Sequence, residues 1–218
     1  MAYTFDWSVL LVYRHLLWRG LLLTVEISAL SLVLSLVLGG VIGIGRRAEA
    51  ASLRWLCGAY IEFFRNIPLI VQLFFWYFAV GLGSFPAAVI GLTVYTSAYI
   101  AEVMRSGLQS IPRTQIEAAR SFGMTRYQTI RHVVLPQALM RVIPPLGVEF
   151  INVIKNSSIA MTISVTELTF QTQQIESLTF RGFEAATAIT ILYVLLALSI
   201  VLLLAAIERA VRLDLRVG

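Results

Sequence analysis

Glu149, Asn152, Lys155 and Asn156 are polar side chains grouped inside an otherwise apolar stretch of this 218-residue chain. Lys155 is its one lysine. Ionisable groups set among residues this apolar are costly, and they persist where they line a polar path or pair with one another. On a helix, Glu149, Asn152 and Asn156 fall on one stripe, with Lys155 beside Asn152. Two readings stand open. In one, Glu149 accepts from a cationic group of a ligand and Lys155 donates to an anionic one, with Asn152, Asn156 and Tyr99 hydrogen-bonding. In the other, Glu149 and Lys155 form a structural pair and no ligand is involved. Pro144-Pro145 and Gly147 predict a helix broken just before these residues, freeing backbone groups to help line a site.

Other chemistries lack their residues. No G-x-x-x-x-G-K-[ST] stretch occurs, so an ATP site in this chain is not expected. There is no paired-histidine motif, no G-x-S-x-G elbow and no carboxylate cluster, which disfavours an intramembrane enzyme. His15 has no histidine or cysteine at ligand spacing. Cys57 is alone, which excludes an intrachain disulfide and a cysteine-based metal cluster.

The elements that carry these residues follow from composition. The chain is 58% hydrophobic and 13% charged, with a mean hydropathy of +0.82. Soluble domains carry about 25% charged residues, so this is a membrane composition. A span takes roughly 20 apolar residues, and five segments qualify, at about 20–44, 60–82, 86–104, 138–163 and 183–207. Together they use the chain and leave no room for a soluble catalytic domain. Residues 1–19 read as an interfacial amphipathic helix, and residues 208–218 as a tail. No basic region precedes an apolar run at the N-terminus, so no cleaved signal peptide is expected.

Gly39 and Gly43 in the first segment fit close helix packing. In the second, Pro68 predicts a kink, Gln72 is a polar group at membrane depth, and Arg65 pairs with Glu62, reaches for the headgroups or serves a functional role. Residues 164–183 are polar enough for an external helix. The net charge of +5 flanks the spans instead of forming a nucleic-acid patch. With the N-terminus outside, twelve arginines fall on the cytoplasmic side against three (Arg14, Arg19, Arg181) outside, which is the positive-inside orientation. The C-terminus is then cytoplasmic.

Residues 113–136, RTQIEAARSFGMTRYQTIRHVVLP, form the longest polar segment and lie between two apolar runs. Thr114 with Glu117 reads as a capping box, Gly123 as the left-handed residue ending that helix, and Thr125 with Gln128 as a second box. Pro136 is expected to stop the second helix. Ile116, Ala119 and Phe122 recur at helical spacing, and Ala118 and Ala119 permit close approach. This is the pattern of a docking element.

Glu117-Ala118-Ala119, then Gly123, then Leu135-Pro136 resembles the EAA loop of permease subunits from bacterial ABC importers, with Val133 where that family usually has isoleucine. Phe64-Arg65-Asn66-Ile67-Pro68-Leu69 resembles the matching stretch of the polar amino-acid permeases. The resemblance covers residues 20–207. It implies an all-α integral membrane protein with five transmembrane helices of the type I importer fold, in the bacterial inner membrane. It implies that the loop docks on a cytoplasmic ATPase dimer that carries the ATP and Mg, with no cofactor in this chain. It implies a second permease subunit, identical or paralogous, and a periplasmic binding protein.

An amino-acid substrate is a zwitterion, for which Glu149 would accept the ammonium and Lys155 donate to the carboxylate. Asn66 and the stretch 153–158 look most like glutamate/aspartate permeases. A stand-alone carrier would need internal repeats and more spans; a membrane scaffold would need neither the charges in a span nor the doubly capped loop.

Overall fold

In the computed structural model the backbone is described for residues 3–217, with side chains for these apart from 207 and 210–217. The side chains of Arg212 and Arg216, counted above for orientation, lie outside the described residues. Every regular element is a helix. A short α1 (Ser8–Val12) precedes α2 (Arg14–Gly45), which runs 32 residues without a break. The helix expected within residues 1–19 is thus divided at Tyr13, and the first long helix starts well before residue 20. Residues 3–6 form no regular element and are tied to the start of the last helix. Glu184 accepts from the Asp6 amide at 2.8 Å, and Arg181 donates to the Thr4 carbonyl at 2.7 Å.

The buried face of α2 consists of small and weakly polar residues: Gly20, Thr24, Ile27, Ser28, Ser31, Ser35, Gly39, Ile42 and Gly43. Leucines and valines such as Val33, Val37 and Val41 point outward. This inversion suits a bilayer, where apolar side chains gain nothing from leaving lipid and small ones let backbones meet. The face packs on α5 (Ser84–Gln109). Ser31 and Ser35 donate to the Val89 and Thr93 carbonyls at 3.4 and 3.2 Å. A Cβ on Gly39 would lie 2.7 Å from the Ser97 carbonyl oxygen, and one on Gly43 2.9 Å from the Met104 Cβ. The glycine pair does mark a close contact.

The segment expected at 60–82 is broken outright at Pro68, where a kink had been expected. Here α3 (Ala51–Asn66) ends, Ile67 is extended (φ −99°, ψ 127°), and α4 (Leu69–Phe74) restarts, running into a π-helical turn at Phe75–Ala79. The cause is proline's demand on its predecessor: Cδ pushes Ile67 out of the helical region. Gln72 repairs part of the damage, donating through Nε2 to the Phe64 and Ile67 carbonyls at 3.0 and 3.1 Å. A core of Ile27, Leu69, Leu73, Ala87, Leu92, Ala160 and Ile163 holds this half of the molecule.

Two proline expectations are corrected. Pro136 does not stop a helix. It occupies the first turn of α8 (Leu135–Ser157), where a missing N–H costs least. The preceding π-helical turn Ile130–Val134 brings the chain in without interruption. Pro144 and Pro145 do not break α8 either; both lie inside it on an exposed side. The change of winding comes later, at a 3-10 segment Ser158–Ile163 closed by left-handed Ser164 (φ 63°).

The polar stretch that follows forms α9 (Leu168–Thr179). Its N-cap is the fully buried Glu167, which accepts from the Thr169 and Phe170 amides and from Tyr193 Oη at 2.9–3.0 Å. Tyr193 belongs to α10 (Gly182–Val217).

Four helical stretches are long and apolar enough to cross a membrane: Arg14–Gly45, Ser84–Gln109, Arg126–Ile163 and Gly182–Ala206. The broken α3–α4 pair stands where a fifth was expected. Gly39→Ala should lower the thermal unfolding midpoint in detergent by an amount corresponding to about 1–3 kcal/mol of overpacking. Gly40→Ala, whose Cβ would meet nothing within 4 Å, should leave the midpoint unchanged or slightly raised.

Candidate functional site

Helix α5 carries a polar stripe along one side, with Tyr95, Tyr99, Glu102 and Arg105 spaced four, three and three residues apart. Tyr95 Oη donates to Tyr99 Oη at 3.2 Å, and the rings lie 5.0 Å apart. One turn on, Arg105 closes a two-pronged ion pair on Glu102. The Arg65 guanidinium, from the last turn of α3, sits over the Tyr99 ring at 5.2 Å. Its Nε is buried and finds no hydrogen-bond partner.

Helix α8 faces this stripe. Glu149 is half-buried, with Asn152 beside it one turn along α8, and its charge interacts with Arg65 and reaches Tyr95. The Arg65 charge is also felt at Glu102.

Of the residues singled out from sequence, Tyr99, Glu149 and Asn152 therefore come together. Asn156 shares the Glu149 stripe about two turns further along and is half-buried. Lys155 does not join them. It is exposed, about a third of a turn from Glu149 around α8 at 100° per residue. No ion pair with Glu149 is formed among the described residues. Sequence reasoning did not place Arg65 and Tyr95 in this cluster. Arg65 had been given to Glu62, the headgroups or an unspecified functional role; the Glu62 side chain is exposed while Arg65 turns inward. The available signal was the spacing of Tyr95, Tyr99 and Glu102 in an apolar run, which marks a polar helix face in need of a cationic neighbour.

The loop forms a second site. Helix α6 spans Arg113–Ser121 and starts from Pro112, whose side chain cannot cap. The expected Thr114–Glu117 box does not form, because proline's fixed φ of −59° starts the helix early and places Thr114 inside the first turn. Gly123 is left-handed (φ 82°), as expected of a helix terminator. The second box is present in full: Gln128 N donates to Thr125 Oγ1 at 3.3 Å, and Thr125 N donates to Gln128 Oε1 at 2.9 Å. It starts α7 (Arg126–Thr129).

Ala119 is buried, whereas Glu117 and Ala118 are exposed and Phe122 is 88% exposed. Phe122, Gly123, Met124, Gln128 and His132 line an open concavity. Leu135 is exposed and Pro136 half-buried at the start of α8. An ion pair, Arg126 to Glu49 at 3.1 Å, reaches from α7 to the α2–α3 turn.

Residues 16–213 match the family model described as the binding-protein-dependent transport system inner membrane component. The chain is 41% identical over 180 residues to the probable glutamine ABC transporter permease protein GlnM of Bacillus subtilis (strain 168), covering 80% of this chain and 83% of that one. It is 31% identical over 244 residues to the glutamate/aspartate import permease protein GltJ of Escherichia coli (strain K12), covering 100% and 99%. A solved amino acid ABC transporter with histidines superposes with a TM-score of 0.87 at 34% identity, over 95% of this chain and 100% of that one.

Thr125→Ala should loosen α7 by about 1 kcal/mol, the usual worth of an N-cap. Amide exchange at Gln128 and Thr129 should then quicken while exchange in α6 stays unchanged.

Proposed function

The chain belongs to the family of binding-protein-dependent transport system inner membrane components, and on that premise we propose that it is the membrane-spanning permease subunit of an ATP-driven importer for a polar amino acid. The observation that carries the substrate class is the half-buried polar cluster of Tyr95, Tyr99, Arg65, Glu149 and Asn152 between α3, α5 and α8. It sets an acceptor, Glu149, within electrostatic reach of a donor, Arg65, and a zwitterion requires one of each. Charged groups are tolerated among spans where they face a polar path. Both a glutamine permease and a glutamate/aspartate permease are similar to this chain over most of its length.

Four long helices and the broken α3–α4 pair make five crossings, with the N-terminus outside and the C-terminus and residues 113–136 in the cytoplasm. The loop is the seat of a cytoplasmic ATPase dimer, which holds the ATP and Mg. Phe122 supports this reading: a phenylalanine 88% exposed beside a left-handed glycine, on a short helix rooted by buried Ala119, is shaped for a partner's groove. Closure of the ATPase pulls on α6, and the rigid turns at Gly123 and Thr125 pass that movement to α5 and α8, which bear the cluster. A periplasmic binding protein delivers substrate, and a second permease subunit, identical or paralogous, completes the path that one copy cannot enclose.

Two measurements test this. Phe122→Asp combined with Glu117→Lys should cut recovery of the ATPase with the solubilised permease about tenfold, the loss typical of an interface hot spot; undiminished recovery would remove the loop from the interface. Glu149→Ala should abolish uptake of labelled amino acids into vesicles holding the full complex while ATPase recovery stays normal. Uptake at the wild-type rate would mean that selectivity resides in the binding protein.

A further inference from the structure

We infer that the second permease subunit is another copy of this chain, and that Glu26 of each copy pairs with Lys155 of the partner subunit. This rests on the importer reading above, which calls for a second subunit and leaves its identity open. The starting point is two charges that one chain does not satisfy. Glu26 lies in the apolar run of α2 and Lys155 near the end of α8, and both side chains are exposed. Among the described residues, neither has an ion-pair or hydrogen-bond partner for its charged group. A charge facing lipid is costly unless a partner covers it or it reaches the headgroups. Glu26 is six residues beyond Gly20, where Leu168 at the start of α9 packs on α2. That is about 9 Å along the helix axis, too deep for a glutamate to reach back to the surface.

The two charges stand at one level in the membrane. Thr24 and Ser28, which bracket Glu26, line a cavity together with Phe150 and Ile154. The turn of α2 that holds Glu26 therefore runs beside the turn of α8 that ends at Lys155. Within one chain they nonetheless face different ways. Glu26 falls on the stripe of Leu22, Val33 and Val37, all exposed and away from the seam with α5. Lys155 shares a stripe with Pro144 and Val148, which are exposed as well.

Equal depth decides which groups can meet across the interface. Two permeases of one importer stand the same way up in the bilayer, so a two-fold axis relating them runs along the membrane normal. Rotation about that axis keeps each residue at its own depth and makes every contact occur twice. Glu26 can then pair only with a cation at its own level. Among the described residues, Lys155 is the exposed and unpaired cation there. Glu62, another exposed carboxylate among the spans, fails this criterion as a partner for Lys155, because its charge acts on Arg105 near the other end of α5. Since each chain carries one half of the pair, two copies close both pairs. Removing either member would strand the other in a medium that solvates it poorly.

The test uses the complete permease–ATPase complex, purified from cells that express two differently tagged copies of the chain. Capture through one tag should recover the other copy together with the ATPase. In a Cys57→Ser background, a copy with Glu26→Cys and a copy with Lys155→Cys should form a disulfide-linked dimer when co-expressed and treated with copper phenanthroline. Either cysteine variant expressed alone should not. Glu26→Lys or Lys155→Glu alone should lower recovery of the second copy about tenfold, because like charges then face each other. The two reversals combined in one chain should bring recovery back to within about twofold of wild type.

ATPase recovered with a single tagged copy overturns the identical partner and leaves the permease reading standing. Two copies without the 26–155 disulfide, or a double reversal as weak as the single ones, overturn the ion pair. The capture and disulfide measurements decide even if the charge reversals fail to fold. If neither ATPase nor a second copy is recovered, the importer reading fails and this inference fails with it.

Discussion

The close approach of α2 to α5 sets the geometry on which the other helices depend. It is made by Ser31, Ser35, Gly39 and Gly43, side chains so small that the two backbones nearly touch, and it is reinforced by serine hydroxyls donating to the carbonyls of Val89 and Thr93. In water such a seam would be weak, because it buries little apolar area. In lipid the apolar faces are satisfied by acyl chains, so shape and hydrogen bonding decide which helices meet. Tyr95, Tyr99 and Glu102 stand on the side of α5 away from this seam with α2.

The second organising feature is a defect placed where it is useful. Pro68 ends α3 after Asn66 and obliges Ile67 to be extended. Gln72 reaches back to two of the freed carbonyls, so the interruption is stabilised instead of frayed. The break leaves Arg65 on a helix end facing inward, among aromatic rings that favour a planar cation. Pro144 and Pro145 have no comparable effect: both are exposed, and α8 continues through them from Leu135 to Ser157.

The loop between α5 and α8 combines rigidity with exposure. A left-handed glycine, a complete capping box and a π-helical turn hold its backbone, while Phe122 and Glu117 project from it. A surface that must transmit force needs both properties: side chains free to seat in a partner, and a backbone that does not absorb the displacement. Continuity from Arg126 to Ile163 joins this surface to the helix that bears Glu149.

Much of this was legible in the residues alone. Helical class, membrane composition, the glycine seam, the Gly123 terminator and the Thr125–Gln128 box depend on local chemistry: hydropathy, the steric freedom of glycine, and hydrogen bonds three residues apart. That Glu149, Asn152 and Asn156 share one side of α8 was also reachable, since helical periodicity puts polar residues on a common face.

What periodicity leaves open is which neighbour that face meets. Arg65 is 34 residues from Tyr99 and 84 from Glu149, and only packing brings α3 beside α5 and α8. The same limit applies to Lys155, a polar residue in the same stretch that is exposed, about a third of a turn from Glu149. It also misjudged three prolines, whose effect depends on whether a helix is entering, passing or packed at that point. Sequence determined which segments are helices and which residues are too polar for lipid; tertiary structure alone decided which of those residues face each other, because that depends on contacts between segments far apart along the chain.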